Sequence, residues 1–130
     1  MSKAQYYEGD VFAGESATLL ARMTDRNGAV VKIADIASIE YTISAVDYHT
    51  GAKDDVEGHT NMPLEPADVL FDTLQLGAIW TQDQVGYNFM HVIDIRTHEA
   101  FAATGYYLVE YRLIPVSGQA LPLRFRVKAI

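Results

Sequence analysis

The sequence predicts an all-β fold: a single antiparallel β-sandwich of about seven strands over residues 1–130, with one long acidic loop at 47–68. Three observations predict it. Residues 106–130 read as two alternating strands around a Pro115-Val116-Ser117-Gly118-Gln119 turn, so the chain closes on a β-hairpin. Ser38 to Val46 alternates without a break, with Ile39, Tyr41, Ile43 and Ala45 on one face and Ser38, Glu40, Thr42 and Ser44 on the other. Turn chemistry then recurs at short intervals, at Gly14, Asn27-Gly28, Gly105 and Ser117-Gly118.

Taken in order, Tyr6 to Phe12 reads as a short first strand, ended by Gly14. Thr18 to Thr24 sets Leu19, Ala21 and Met23 on one face. Asn27-Gly28 tolerates positive φ and predicts a hairpin or tight corner before the extended run Ala29 to Ile33. Ile36 is placed to plug one end of the core. Residues 47–68 have no sustained periodicity and hold Gly51, Gly58, Pro63 and Pro66, which predicts a surface loop with room for one short strand. Val69 to Leu74 reads as a short strand, and Gly77 to Gln84 as a bend that packs Trp80 on the core.

Tyr87 to Ile95 alternates Tyr87, Phe89, His91, Ile93 and Ile95 against a second face carrying Met90 and Val92, which marks a central strand or an interface. Thr97 to Thr104 is the best helical candidate, one or two turns ended by Gly105. Tyr106 to Ile114 turns Tyr107, Val109, Tyr111 and Leu113 inward. Leu121 to Val127 turns Leu121, Leu123, Phe125 and Val127 inward and leaves Arg124, Arg126 and Lys128 outside. Pro122 predicts that this last strand lies at a sheet edge, where a missing N–H costs nothing.

One hundred and thirty residues suffice for one domain with a real core. Hydrophobic content of 49% with 21% charged residues argues against wholesale disorder. The absence of cysteine excludes a disulfide framework, a thiolate metal site and a cysteine nucleophile. The N-terminal residues have no apolar signal core, and no apolar run approaches the roughly 20 residues of a membrane helix. A soluble, cytoplasmically made protein is expected, with no membrane partner.

The net charge of −7 is concentrated: residues 47–72 hold seven acids and one base, a net of −6. Generic nucleic-acid binding is disfavoured, because phosphate affinity needs a basic surface.

Candidate chemistry is sparse. His49, Asp54, Asp55, Glu57 and His59 present oxygen and imidazole ligands on one segment, but at no EF-hand spacing, so a solvated loop is expected there rather than a metal site. His91 stands at an apolar position and reads as a satisfied buried histidine. No histidine pair has metalloprotease spacing, and there is no Gly-x-Ser-x-Gly. The expectation is a non-enzymatic protein with no cofactor.

Eight tyrosines exceed what one core needs. Tyr41, Tyr87, Tyr107 and Tyr111 are expected inside, one of them making a tyrosine-corner hydrogen bond. Tyr6, Tyr7, Tyr48 and Tyr106 are candidates for a contact surface or a sugar-stacking platform. The candidate interface also takes in the acids Asp54, Asp55 and Glu57 and the basic row Arg124, Arg126 and Lys128. Opposite charge at two patches would suit salt-sensitive, head-to-tail association of copies.

The segments Gly14-Glu15-Ser16-Ala17-Thr18-Leu19, Thr24-Asp25-Arg26-Asn27-Gly28-Ala29-Val30-Val31 and Ile36-Ala37-Ser38-Ile39-Glu40-Tyr41-Thr42-Ile43, with the closing Gly105-Tyr106-Tyr107 and its hairpin, carry a family resemblance. The chain resembles the immunoglobulin-like domains of tailed-phage structural proteins, of the type at the N-terminus of the phage baseplate upper protein. The resemblance covers roughly residues 13–46 and 104–130. It implies an immunoglobulin-like sandwich without catalytic residues, docked as a homo-oligomer onto its own copies and neighbouring proteins of a tail, baseplate, neck or head decoration. The implied location is the virion, after synthesis in a host cytoplasm. The alternative from another class is a carbohydrate- or ligand-binding accessory module, using exposed tyrosine and Trp80.

Overall fold

The structure, a computed structural model, describes residues 5–25, 27–75 and 87–130. Trp80 and the expected bend at Gly77–Gln84 lie outside them. The named strands are β1 (Gln5–Val11), β2 (Thr18–Ala21), β3 (Ile36–Val46), β4 (Lys53–Asp55), β5 (Met62–Leu64), β6 (Leu70–Gln75), β7 (Tyr87–Val92), β8 (Gly105–Pro115) and β9 (Leu121–Ala129). A single helical turn, α1 (Pro66–Val69), precedes β6, and a 3-10 turn at Ile33–Asp35 precedes β3.

The alternating residues of β3, β8 and β9 build the larger sheet, in the order β1-β9-β8-β3, with β4 and β5 sharing the far edge of β3. The smaller sheet runs β2-β7-β6. Their inner faces meet through rings: Phe89 of β7 stands edge-on to Tyr111 of β8 at 4.9 Å between centroids, and Tyr41 of β3 meets His91 of β7 at 4.9 Å. Ile39, Ile43, Ile93, Val109, Leu113, Leu123, Phe125 and Val127 fill the space between, all buried. Burying this apolar surface is the main force holding the sheets together.

Leu19, Ala21 and Met23 are buried, as their alternation requires, and so are Tyr41, Tyr87, Tyr107, Tyr111 and the end plug Ile36. The Asn27-Gly28 corner is a true reversal. Asp25 Oδ1 accepts the N–H groups of Asn27 and Ala29, Gly28 takes φ +83°, and Thr24 bridges to Val30.

Five expectations need correction. Residues 47–68 are not a long surface loop: β3 turns back through Asp47–Ala52 into β4, and β5 returns to the same edge. Between them the Ile43 N–H donates to the His59 carbonyl and the Ile43 carbonyl accepts from Val56, so this edge of β3 is satisfied. With these strands included, nine strands are named among the described residues rather than about seven.

Thr97–Thr104 forms no helix. Its backbone groups are claimed by neighbours: the His98 carbonyl by His59, the Phe101 carbonyl by Gly14, and both backbone groups of Ala103 by Tyr107. A helix this short could not outcompete them.

The sandwich is not wholly antiparallel, because β1 runs parallel to β9 from Gln5↔Leu123 to Val11↔Ala129. By the same pairing β9 is interior rather than an edge strand. Pro122 is tolerated because it lies one residue before the β1 ladder begins, beside Arg112 on the other flank.

Candidate interaction surface

Two polar constellations stand out: one inside the sandwich and one on the outer face of the larger sheet. Inside, burial forces every polar group to find a partner. His59, in the bend between β4 and β5, points inward and is buried. Its Nε2 lies 2.8 Å from the His98 carbonyl, which can only accept, so Nε2 carries the proton. Its Nδ1 lies 2.9 Å from the Tyr41 hydroxyl. His91 Nδ1 meets the Tyr111 hydroxyl at 2.6 Å.

Burial, with His59 nearby, lowers the His91 pKa to about 4, which keeps the ring neutral at physiological pH. Burial also raises the Tyr41 and Tyr111 hydroxyls, with Asp94 adding to the first and Tyr41 to the second. On the surface below, two side-chain bonds from Arg96 hold Asp94 well beneath the usual carboxylate range. These are satisfied core bonds: the first set ties together β3, the β4–β5 bend and the 97–104 loop, and the His91–Tyr111 bond joins β7 of the smaller sheet to β8 of the larger.

The outer face follows from the strand registers. Across one level stand Asp10 (β1), Lys128 (β9), Tyr106 (β8), Val46 (β3) and Lys53 (β4). Across the next stand Glu8, Arg126, Leu108, Ser44 and Asp55. The basic row of β9 therefore lies between β1, where Asp10 is the register partner of Lys128, and β8. Glu110 of β8 takes both Arg124 (3.1 Å) and Lys53 (3.2 Å), spanning from β9 to β4.

Tyr48, in the β3–β4 turn, stacks on Tyr106 at 5.2 Å and 24° between planes, and remains 67% exposed. The Arg126 guanidinium lies 4.6 Å from the centre of the same Tyr106 ring, with the Lys128 ammonium at 5.9 Å. The turn that carries Tyr48 is fixed by Asp47, whose Oδ1 accepts from the His49 and Thr50 N–H groups. Those bonds, Thr50 first, lower the Asp47 pKa. Beneath Tyr48 lies a shallow cleft of 390 Å³. It shares Lys53 and Arg124 with a second, more polar cleft of 490 Å³ over Glu40, Thr42 and Arg112.

The structure thus brings Tyr48, Arg124, Arg126 and Lys128 together with Tyr106, and sets Asp55 on the same face, where it accepts from Ser44. Asp54 pairs in register with Ala45 at the β4 edge, and Glu57 is exposed in the turn beyond it, away from the cluster. Tyr6 and Tyr7 lie on β1 at the levels of Arg124 and Phe125. The acidic segment's suspected ligands are dispersed by the inward turn of His59. Among the described residues no group of three or more His, Asp or Glu is placed to hold a metal ion.

Sequence reasoning missed the inward role of His59, which stands among carboxylates in the chain. It also missed Asn88, fully buried, whose amide bonds the backbone of Met23 and Val31. Neither carries a signal in linear spacing. No protein-family model matches the chain, and no curated protein is significantly similar to it in sequence.

Proposed function

We propose that this chain is an immunoglobulin-like structural subunit of a phage or phage-like particle, non-enzymatic, acting by docking onto its own copies and neighbouring particle proteins in the virion. One observation carries the docking part. β7 is the central strand of the smaller sheet, and beyond the buried Asn88 its outward positions are the apolar Met90 and Val92. Phe89, His91 and Ile93 on this segment are buried in the core, while Met90 and Val92 face out, paired in register with Leu20 and Thr18 of β2. Val92 is 54% exposed. A sheet face meant for water alternates to polar residues; this one keeps apolar side chains that a partner would cover.

Other features support the rest of the reading. Sheets ordered β2-β7-β6 and β9-β8-β3 suit the immunoglobulin arrangement of B, E, D and G, F, C strands. Tyr107, near the start of β8, bonds backwards to Ala103 as a tyrosine corner does. The two stretches that resemble phage structural domains lie side by side, since β3 pairs with β8 over its length. The particle assignment rests on that resemblance.

The test is mass in solution by light scattering across concentration and salt, for the natural chain and for Val92→Lys. The reading expects concentration-dependent oligomers that Val92→Lys dissociates without loss of β-sheet circular dichroism. A monomer at every concentration, or oligomers indifferent to position 92, would count against docking through this face.

A further inference from the structure

The outer face of the larger sheet carries a second, separate property. The cleft beneath Tyr48 has an apolar floor of Val46, Tyr106 and Leu108 and a rim with Lys53, Arg124 and Arg126. Its aromatic wall is already assembled: Tyr48 rests on Tyr106, and Tyr106 also holds the Arg126 guanidinium. The turn beneath Tyr48 is locked by the Asp47 bonds, with the Asp47 N–H also donating to Ala52 and Gly51 donating to the Asp47 carbonyl. Little ordering remains to be done when a ligand arrives, which favours binding by a small, flat occupant.

The charges select the occupant further. Three cations, Lys53, Arg124 and Arg126, line the cleft with one acid, Asp47. Glu110 is committed to Lys53 and Arg124, and Asp47 is committed to the N–H groups of its own turn. Asp10 of β1 pairs in register with Lys128, on the far flank of β9. An anion entering beside Tyr48 therefore meets the Arg126 guanidinium first, with Arg124 behind it already shared with Glu110, and a guanidinium is well matched to a carboxylate. The remaining requirement is an apolar, ring-shaped face to cover a tyrosine. A pyranose ring bearing a carboxylate offers both at the spacing of one ring. At 390 Å³ the cleft is of small-molecule size.

We propose that this cleft binds a carboxylated sugar, a uronate unit of an acidic polysaccharide, with its ring against Tyr48 and its carboxylate toward Arg126 and Arg124. The proposal does not rest on the assembly reading, which uses the opposite sheet. The platform is Tyr48 with Tyr106, two of the tyrosines expected to form one; Trp80 lies outside the described residues.

The experiment is a titration of the isotope-labelled protein with trigalacturonate, followed by amide shifts and by calorimetry, beside its uncharged methyl ester and inorganic phosphate. The expected result is saturable shifts confined to residues 46–53, 106–108 and 124–126, weakening as salt rises. The ester and phosphate should each bind at least about tenfold more weakly, since each supplies only half of the recognition. Tyr48→Ala and Arg126→Gln should each lower the affinity about tenfold while leaving the rest of the amide spectrum in place. Val92→Lys should leave it unchanged, so failure of the docking face and failure of this site read out separately. Absence of saturable shifts at these residues, equal binding of the ester, equal binding of phosphate, or retained affinity in both variants would each overturn the proposal.

Discussion

The hydroxyl of Tyr107 closes onto Ala103, donating to its carbonyl at 2.9 Å and accepting from its N–H at 3.2 Å. One side chain thus satisfies both backbone groups of a residue four positions earlier. It pins the irregular 97–104 segment to the start of β8, while its ring packs edge-on against the buried Phe101. Tyr107→Phe keeps the ring and removes both bonds. The expected loss is about 1–3 kcal/mol in urea unfolding, with faster amide exchange at Ala103. An unchanged midpoint would mean that water replaces the hydroxyl without penalty.

His91 makes stability depend on pH. Its folded pKa of about 4 lies below the ordinary 6.5, because burial between the sheets, beside Tyr111 and His59, penalises the charged ring. The unfolded chain therefore binds the extra proton first as pH falls. The contribution is fully present above pH 6.5 and is lost as pH falls through 4, amounting to about 3 kcal/mol when complete. Denaturant midpoints at pH 7, 5.5 and 4.5 for the natural chain and for His91→Leu should converge as pH falls. Parallel curves would place the acid sensitivity elsewhere.

Asn88 replaces a stretch of ladder. Its Oδ1 accepts the Met23 N–H at 2.6 Å and its amide donates to the carbonyls of Met23 (3.0 Å) and Val31 (2.9 Å). Asn88→Ala would leave the Met23 N–H and the Val31 carbonyl without this partner in a dry site. The expected destabilisation is about 2–4 kcal/mol, seen as a lower thermal midpoint. Asn88→Asp should not rescue it, because a carboxylate cannot donate to two carbonyls.

Gly58 takes φ +82°, and a Cβ there would run into the His98 ring and its Cβ. Gly58→Ala combines left-handed strain with displacement of the segment whose carbonyl holds His59. A loss of about 1–3 kcal/mol is expected, with amide shifts spreading to Tyr41 through the His59 bond. Changes confined to residues 57–59 would show that His98 simply swings away.

What was legible in the sequence follows from which faces the chain contrasts. β3, β8 and β9 bury one face and wet the other, so Ile39, Tyr111 and Phe125 announce themselves by alternation. Lys53-Asp54-Asp55 and Met62-Pro63-Leu64 have little buried surface, so these strands exist mainly through backbone bonds to β3 and leave no apolar period to read. The parallel pairing of β1 was equally hidden, since alternation reports a face and not a neighbour. Thr97–Thr104 has helix-forming composition, but its polar backbone groups were taken by residues distant in the chain, including Gly14 and His59. On the outer face, Tyr48 and the arginines were visible as residue types. Their convergence depended on the register that sets Val46 beside Tyr106 and Leu108 beside Arg126.

The parallel alignment of β1 with β9 also gives the domain a direction. Gln5 lies beside Leu123, near the β8–β9 turn, whereas Val11 and Ala129 lie together at the other end of the sheet. A polypeptide joined ahead of Gln5 leaves from one pole, and one joined after Ala129 leaves from the other, about 20 Å away along seven residues of strand. Joined at both ends, the sandwich would transmit tension along its strands, with β1 and β9 loaded in shear so that their ladder bonds must yield together rather than unzip one by one.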